Sequence, residues 1–216
     1  MAGKVIPTVE IEVFSDFCCP FCLIGSKHLD DAIAGLEGNV EVLSIYRAFE
    51  LDPSAPDDGI DVRKALHEKH GLDASQIWPS LEARARESGI ELDFARQPRA
   101  YPTLAAHTLV RHAAMRGTAR ALSRAIIEAY FLRGEAISKH AILARIASGH
   151  GFASEDALAL LADETELAQT RIEAERSRAR GVHSVPTVLI SGLGTMSSSQ
   201  PVSELQAAIS AKAALT

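Results

Sequence analysis

The chain has only three cysteines in 216 residues, Cys18, Cys19 and Cys22, confined to one short stretch. So few, so clustered, they exclude a zinc site of four cysteines and a disulfide framework that staples distant segments. A zinc site of two cysteines and two histidines is also disfavoured. His107 and His112 have a finger-like spacing but lie far beyond Cys22, and His67 and His70 are spaced too closely. An excess of basic charge is missing as well. Lys and Arg number 22 against 28 Asp and Glu, a formal charge of −6, which argues against a dedicated nucleic-acid binder. No apolar run approaches the length of a membrane span, and the stretch from Met1 to Pro7 lacks the apolar segment of a signal peptide. The expectation is a cytosolic protein that binds neither nucleic acid nor membrane. Aromatic residues make up only 5%, yet 47% hydrophobic and 23% charged residues are too apolar a mixture for disorder. At about 150 residues per domain, the length fits one large domain or a domain with a substantial insertion.

Periodicity divides the chain into three parts. Val9 to Phe14 alternates apolar and polar residues between Pro7 and the Ser15-Asp16 turn signal, and reads as a strand. Cys19-Pro20-Phe21-Cys22 follows at once, then Leu23, Ile24, Leu29, Ile33 and Leu36 in a helical pattern ending near Gly38. Val40 to Phe49 is a second strand, stopped by Pro53 and Pro56, so the start of the chain is a βαβ unit. From Asp61 to Arg180 the period is helical, a block of about five or six helices. In it, Leu122, Ile126, Ala129 and Tyr130 form one buried stripe, and Ser138 precedes a helix as its N-cap. Asp163 and Glu166 resemble a capping box, opening a helix that runs to Arg178 and Arg180 with Gly181 as its stop. Thr187 to Ile190 is a short β-branched strand, and Gln200-Pro201 opens a last helix with proline at its first position. Neither end has enough strands to stand alone, so both ends form one sheet. Residues 1–60 and 181–216 are thus one discontinuous domain, and residues 61–180 an inserted helical one.

A CxxC pair between a strand and a helix has a chemical rationale. The helix N-terminus leaves N–H groups unpaired and carries partial positive charge, and both favour thiolate over thiol at Cys19. A dipole contribution of up to about 2 kcal/mol corresponds to roughly 1.5 pKa units. Pro20 takes a helix-opening position without losing a needed donor. Cys22, one turn in, is placed to close a disulfide with Cys19 or to resolve a mixed one.

The run Ser15-Asp16-Phe17-Cys18-Cys19-Pro20-Phe21-Cys22, with Ser184-Val185-Pro186-Thr187 far downstream, resembles the DsbA family of the thioredoxin-like superfamily, in its FrnE-like branch. Further matches are Phe49-Glu50-Leu51-x-Pro53, Ala106-His107, Ala129-Tyr130-Phe131 and Gln200-Pro201, so the resemblance covers nearly the whole chain. It implies an α/β thioredoxin-like fold with a large all-helical insertion domain. It also implies that Cys19 is the nucleophile, Cys22 the resolving thiol, and Pro186 a cis-proline facing the pair. Pro20, Phe21, Val185 and Pro186 are then the substrate-binding candidates, and His107 and His183 candidate proton donors. Phe21 replaces the tryptophan more usual in this branch, and Tyr101-Pro102-Thr103 stands where an Asn-Thr or Asn-Ser pair is usual.

The implied function is thiol–disulfide oxidoreduction on protein or small thiol substrates, with no bound cofactor or metal. Glutathione as a co-substrate and a homodimeric assembly stay open. A related branch, the 2-hydroxychromene-2-carboxylate isomerases and kappa-class glutathione transferases, shares the fold but usually has serine at the position of Cys19. A glutathione-dependent isomerase and a non-catalytic redox-sensing module are the alternatives. Cys18 is read as a small side chain outside the pair, because neighbouring residues point to different sides. Asp16 is read as orienting the turn, without a catalytic role, since its charge would oppose the helix dipole at a nearby thiol.

Overall fold

The computed structural model describes residues 6–215; the leader reading of Met1 to Val5 lies outside the described residues, as does the side chain of His70. Strand β1 (Thr8–Ser15), helix α1 (Pro20–Ala34) and strand β2 (Glu41–Ala48) come first. β1 and β2 run parallel, from the Thr8–Glu41 pair to the Ser15–Ala48 pair, and α1 is the crossover that parallel strands require. The next stretch is helical apart from two short strands paired antiparallel, β3 (Ile60–Asp61) and β4 (Arg99–Ala100). Its helices are α2 (Val62–His70), α3 (Ala74–Glu87), α4 (Leu104–Ala113), α5 (Ala119–Arg133), α6 (His140–Ser148), α7 (Ser154–Leu161) and α8 (Glu164–Ala179). The chain then returns to the sheet with β5 (Thr187–Ile190) and β6 (Gly194–Met196), and ends in α9 (Val202–Ala213). β5 pairs antiparallel with the free edge of β1, which sets the order β2-β1-β5-β6.

Alternation along β1 decides what each sheet face carries. Val9, Ile11 and Val13 point into an apolar cluster with Leu29 and Ile33 of α1, Val188 and Ile190 of β5, and Ile209 of α9. Each such aliphatic side chain contributes about 1.5–3 kcal/mol on full burial. Glu12 faces the other way, 8% exposed, and its carboxylate is held by Arg47 of β2 at 2.7 Å and by Arg180 just past α8. A second apolar cluster joins the start of α1 to the helical stretch. Phe17, Cys19, Cys22, Leu23 and Ile24 pack there with Leu109 of α4 and Leu122, Ile126, Tyr130 and Phe131 of α5. The motif therefore sits in the seam between the sheet and the helices.

Several local expectations are corrected. Among the described residues the helical stretch holds seven α-helices rather than five or six, and the turn around Gly151, with φ +87°, separates α6 from α7. Ser138 is not an N-cap; Lys139 holds that position, and the Ser138 hydroxyl donates to the distant Asp57 carbonyl at 2.7 Å. Asp163 does cap α8, accepting from the N–H groups of Thr165 and Glu166 at 2.8 and 3.3 Å. Glu166 does not reach back to complete the box; its carboxylate is taken by Arg111 and His112 of α4. Pro201 is the N-cap of α9 rather than its first helical residue.

Candidate active site

The site is built where β1 runs out. Cys19 is the N-cap of α1, in extended conformation at φ −95° and ψ 118°, and Pro20 opens the helix with φ already suited to it. No side chain caps this end, and the first turn holds no acidic residue. What this end offers the Cys19 sulfur is therefore the positive pole of the helix dipole. The Cys19 carbonyl accepts from the Cys22 and Leu23 N–H groups at 3.0 and 3.3 Å, which places Cys22 one turn along.

Both thiols of the pair are buried, and they differ in their hydrogen-bond partners. Cys19 is 5% exposed and its thiol donates to the Val185 carbonyl at 3.7 Å. Cys22 is 1% exposed, and its sulfur accepts from the Asp16 N–H at 3.4 Å. Burial pushes the Cys22 thiol well above its ordinary range, and its hydrogen bond and proximity to Cys19 push the same way, against a smaller opposing effect of Ser15. The inner cysteine is therefore held as a thiol beside the outer one.

Asp16 organises the turn between β1 and α1. Its carboxylate, on a residue 2% exposed, accepts from the Cys18 N–H at 3.3 Å and the Leu51 N–H at 2.6 Å, with a further hydrogen bond from Thr103. Burial raises its pKa, and those donors counter the rise. Cys18 turns away from the pair and donates to the Tyr101 carbonyl at 3.4 Å. Burial first, then the Asp16 charge, push the Cys18 thiol up, so it stays protonated.

The far-downstream segment arrives at the same place. The Val185–Pro186 peptide bond is cis, and Pro186 is buried against α1. Only a glycine fits opposite it: a Cβ on Gly25 would come 2.9 Å from the Pro186 ring and closer still to the Ser198 hydroxyl. Cys19, Cys22, Pro20, Val185 and Pro186 are thus brought together. Phe21 lies half-buried with the Arg84 guanidinium 5.3 Å from its ring. His107 is buried behind Phe17, ring to ring at 4.6 Å, with Nε2 3.0 Å from the Phe49 carbonyl oxygen. His183 is exposed in the loop before Val185. The roles of Ser15, Gly25, Arg84 and Tyr101 are not expected from the motif. For Asp16 the signal is in the sequence, since a turn aspartate accepts backbone N–H groups just ahead of it. Among the described residues, no group of three or more His, Cys, Asp or Glu side chains is placed to hold a metal ion. None of the described helices is long and apolar enough to cross a membrane.

A family model described as a DSBA-like thioredoxin domain matches residues 10–210. The fold is similar to that of a probable DsbA oxidoreductase of Streptomyces coelicolor, with a TM-score of 0.83 and 26% identity over 94% of this chain and 89% of that one. It also resembles, as fold alone, a 2-hydroxychromene-2-carboxylate isomerase, at TM-score 0.74 and 17% identity over 96% of this chain and 99% of that one. The cytosolic disulfide reductase DsbM of Pseudomonas aeruginosa, solved with GSH, is a third neighbour in fold alone, at TM-score 0.66 and 16% identity over 94% and 98%. In sequence, 100 residues are 33% identical to the uncharacterized protein YwbO of Bacillus subtilis strain 168. That match spans 45% of this chain and less than half, 44%, of the relative.

Proposed function

The chain belongs to the DSBA-like thioredoxin domain family, and from that premise we propose that it is a dithiol oxidoreductase exchanging disulfides through Cys19 and Cys22. One observation carries the reading: an uncapped helix N-terminus at Cys19, with a buried, protonated Cys22 one turn away. The Cys19 thiolate attacks a substrate disulfide, and the substrate's other sulfur leaves with the bonding electrons and takes up a proton. Cys22 then loses its proton and attacks the Cys19 sulfur of the mixed disulfide. The second substrate sulfur leaves, and a Cys19–Cys22 disulfide remains. Run backwards, the same steps oxidise a substrate dithiol. Val185 and Pro186 border the pair where substrate arrives, with Pro20 and Phe21 on the helix side. We assign this chemistry to the cytosol, because the cysteines are gathered in one motif and none serves as a staple. By chain path, residues 61–180 are the helical insertion and residues 1–60 with 181–216 the thioredoxin-like part.

A redox titration against glutathione buffers tests the reading. The pair should pass from dithiol to disulfide in one two-electron transition, where about 30 mV is tenfold in the equilibrium. The midpoint then states which direction the protein favours in its compartment. Absence of a Cys19–Cys22 disulfide at every ratio overturns the proposal.

A further inference from the structure

Cys22 has to lose a proton to resolve a mixed disulfide, yet it is buried, one turn into α1. The carboxylate nearest in sequence is already occupied. Asp16 accepts from the Cys18 and Leu51 N–H groups and from Thr103. Cys22 does line a small hollow of about 10 Å³, whose other polar groups are the hydroxyls of Ser15, Ser26, Tyr46, Ser123 and Ser198. No charged group lines it among the described residues. The Ser15 hydroxyl donates to the Cys22 sulfur and so favours its thiolate. A second hollow of about 10 Å³ shares Ser15, Tyr46 and Ser123 with the first and adds Arg47, His107, Arg111 and Glu173. Ser15 of β1, Tyr46 of β2 and Ser123 of α5 thus stand between the two. Each hollow is the size of a single water site, and each offers the polar groups that a buried water needs. The outer one ends at side chains that are only partly buried. Arg47 is paired with Glu12 at 2.7 Å and Arg111 with Glu166, while Glu173 of α8 meets Arg47 at 3.7 Å.

We propose that each hollow holds one water, and that these waters with the Ser15 and Ser123 hydroxyls carry the Cys22 proton to Glu173 and on to solvent. The proposal rests on the reading of Cys22 as the resolving thiol and adds a route and residues to it. Cys22 gives its proton to this path as its sulfur attacks the Cys19 sulfur. The Cys19–Cys22 bond forms and the bond to the substrate breaks. The substrate sulfur leaves with the electron pair and takes a proton from solvent. Hydroxyls suit the middle of such a path, because each donates one proton, accepts another and rotates between partners. Tyr46 acts as wall: burial first, then the charge of Asp30, raise its phenol, so it keeps its proton. His107 is neutral, its N–H committed to the Phe49 carbonyl, and it sets no charge against the passing proton. The exit lies on α8, so the inserted helical stretch takes part in the exchange.

The test mixes the reduced full chain with the symmetric disulfide of acetyl-cysteine-amide, quenches in acid, and follows the mixed and the Cys19–Cys22 disulfides by mass spectrometry. Attack by Cys19 and resolution by Cys22 are thereby read as separate rate constants. Ser15→Val and Ser15→Thr fill nearly the same volume and differ in the hydroxyl. Ser123→Val and Ser123→Thr repeat the contrast on α5 should the strand variants fail to fold. In the valine variants attack should keep the parent's rate, while resolution slows about 100-fold, the low end of what positioned proton transfer contributes. The mixed disulfide should then accumulate. The solvent deuterium isotope effect on resolution should rise as well, which a change of packing alone would not bring. The threonine variants should resolve close to the parent's rate, and Glu173→Gln should slow resolution without slowing attack. Equal resolution in the valine and threonine variants, or parent-like resolution in Glu173→Gln, overturns the path and leaves the dithiol reading standing. If no protein forms either disulfide, both fall.

Discussion

His107 lies on α4 with its Nε2 donating to the Phe49 carbonyl at 3.0 Å and its ring against Phe17. Burial lowers its pKa to about 4, so the ring is neutral at pH 7 and its N–H is committed to that carbonyl. The unfolded chain takes up a proton near pH 6.5 and the folded chain only near pH 4. Between those values the unfolded state holds more protons, so stability rises with pH and is lost as pH falls through the window. The full effect is about 3 kcal/mol. Glu12, held low first by its hydrogen bond to Arg180, adds a loss of the same sign on the acid side of the window; Asp16, raised by burial, acts in the opposite sense. His107→Gln keeps a donor for the Phe49 carbonyl and cannot titrate. Its unfolding free energy, from denaturant melts at stepped pH, should be flatter than the parent's between pH 6.5 and 4. An unchanged slope would show that His107 is not the titrating group.

Helix α1 has a glycine in its interior where helix propensity alone prefers alanine by about 1 kcal/mol. Gly25 is there because Pro186 and Ser198 press against it, and the overpacking cost of about 1–3 kcal/mol exceeds the propensity gain. Gly25→Ala should therefore lower the thermal midpoint, and a raised midpoint would mean that the downstream loop yields freely. Such long-range contacts also mark the limit of what local pattern reveals. β1, β2 and β5 are legible from alternation and β-branched runs, with bounds within one residue of those expected. β3, β4 and β6 are two or three residues long and owe their pairing to partners elsewhere, so no local period announces them. Ser138 is misread for the same reason: its hydroxyl answers to Asp57, 81 positions away.

Across the whole molecule, the thioredoxin fold with its helical insertion follows from two ends that cannot form a sheet separately. The sheet order joins β5 and β6 to β1, and Glu12 ties β1 to Arg47 of β2 and to Arg180 after the helical stretch. The proposed reacting pair is legible because both thiols lie in one motif, strand first and helix after. Val185 and Pro186 are found only through family resemblance, since nothing local in that stretch points at Cys19. The hollows beyond Cys22 are not legible at all, because Ser15, Tyr46 and Ser123 come from three separate segments. The central claim, that Cys19 attacks and Cys22 resolves, is tested most directly by trapping. Cys22→Ser and Cys19→Ser are each mixed with a peptide disulfide, then separated without reductant and mapped by mass spectrometry. The account predicts a mixed disulfide accumulating on Cys19 in Cys22→Ser and no adduct at the motif in Cys19→Ser. A Cys22→Ser protein that turns over like the parent and traps nothing would contradict it.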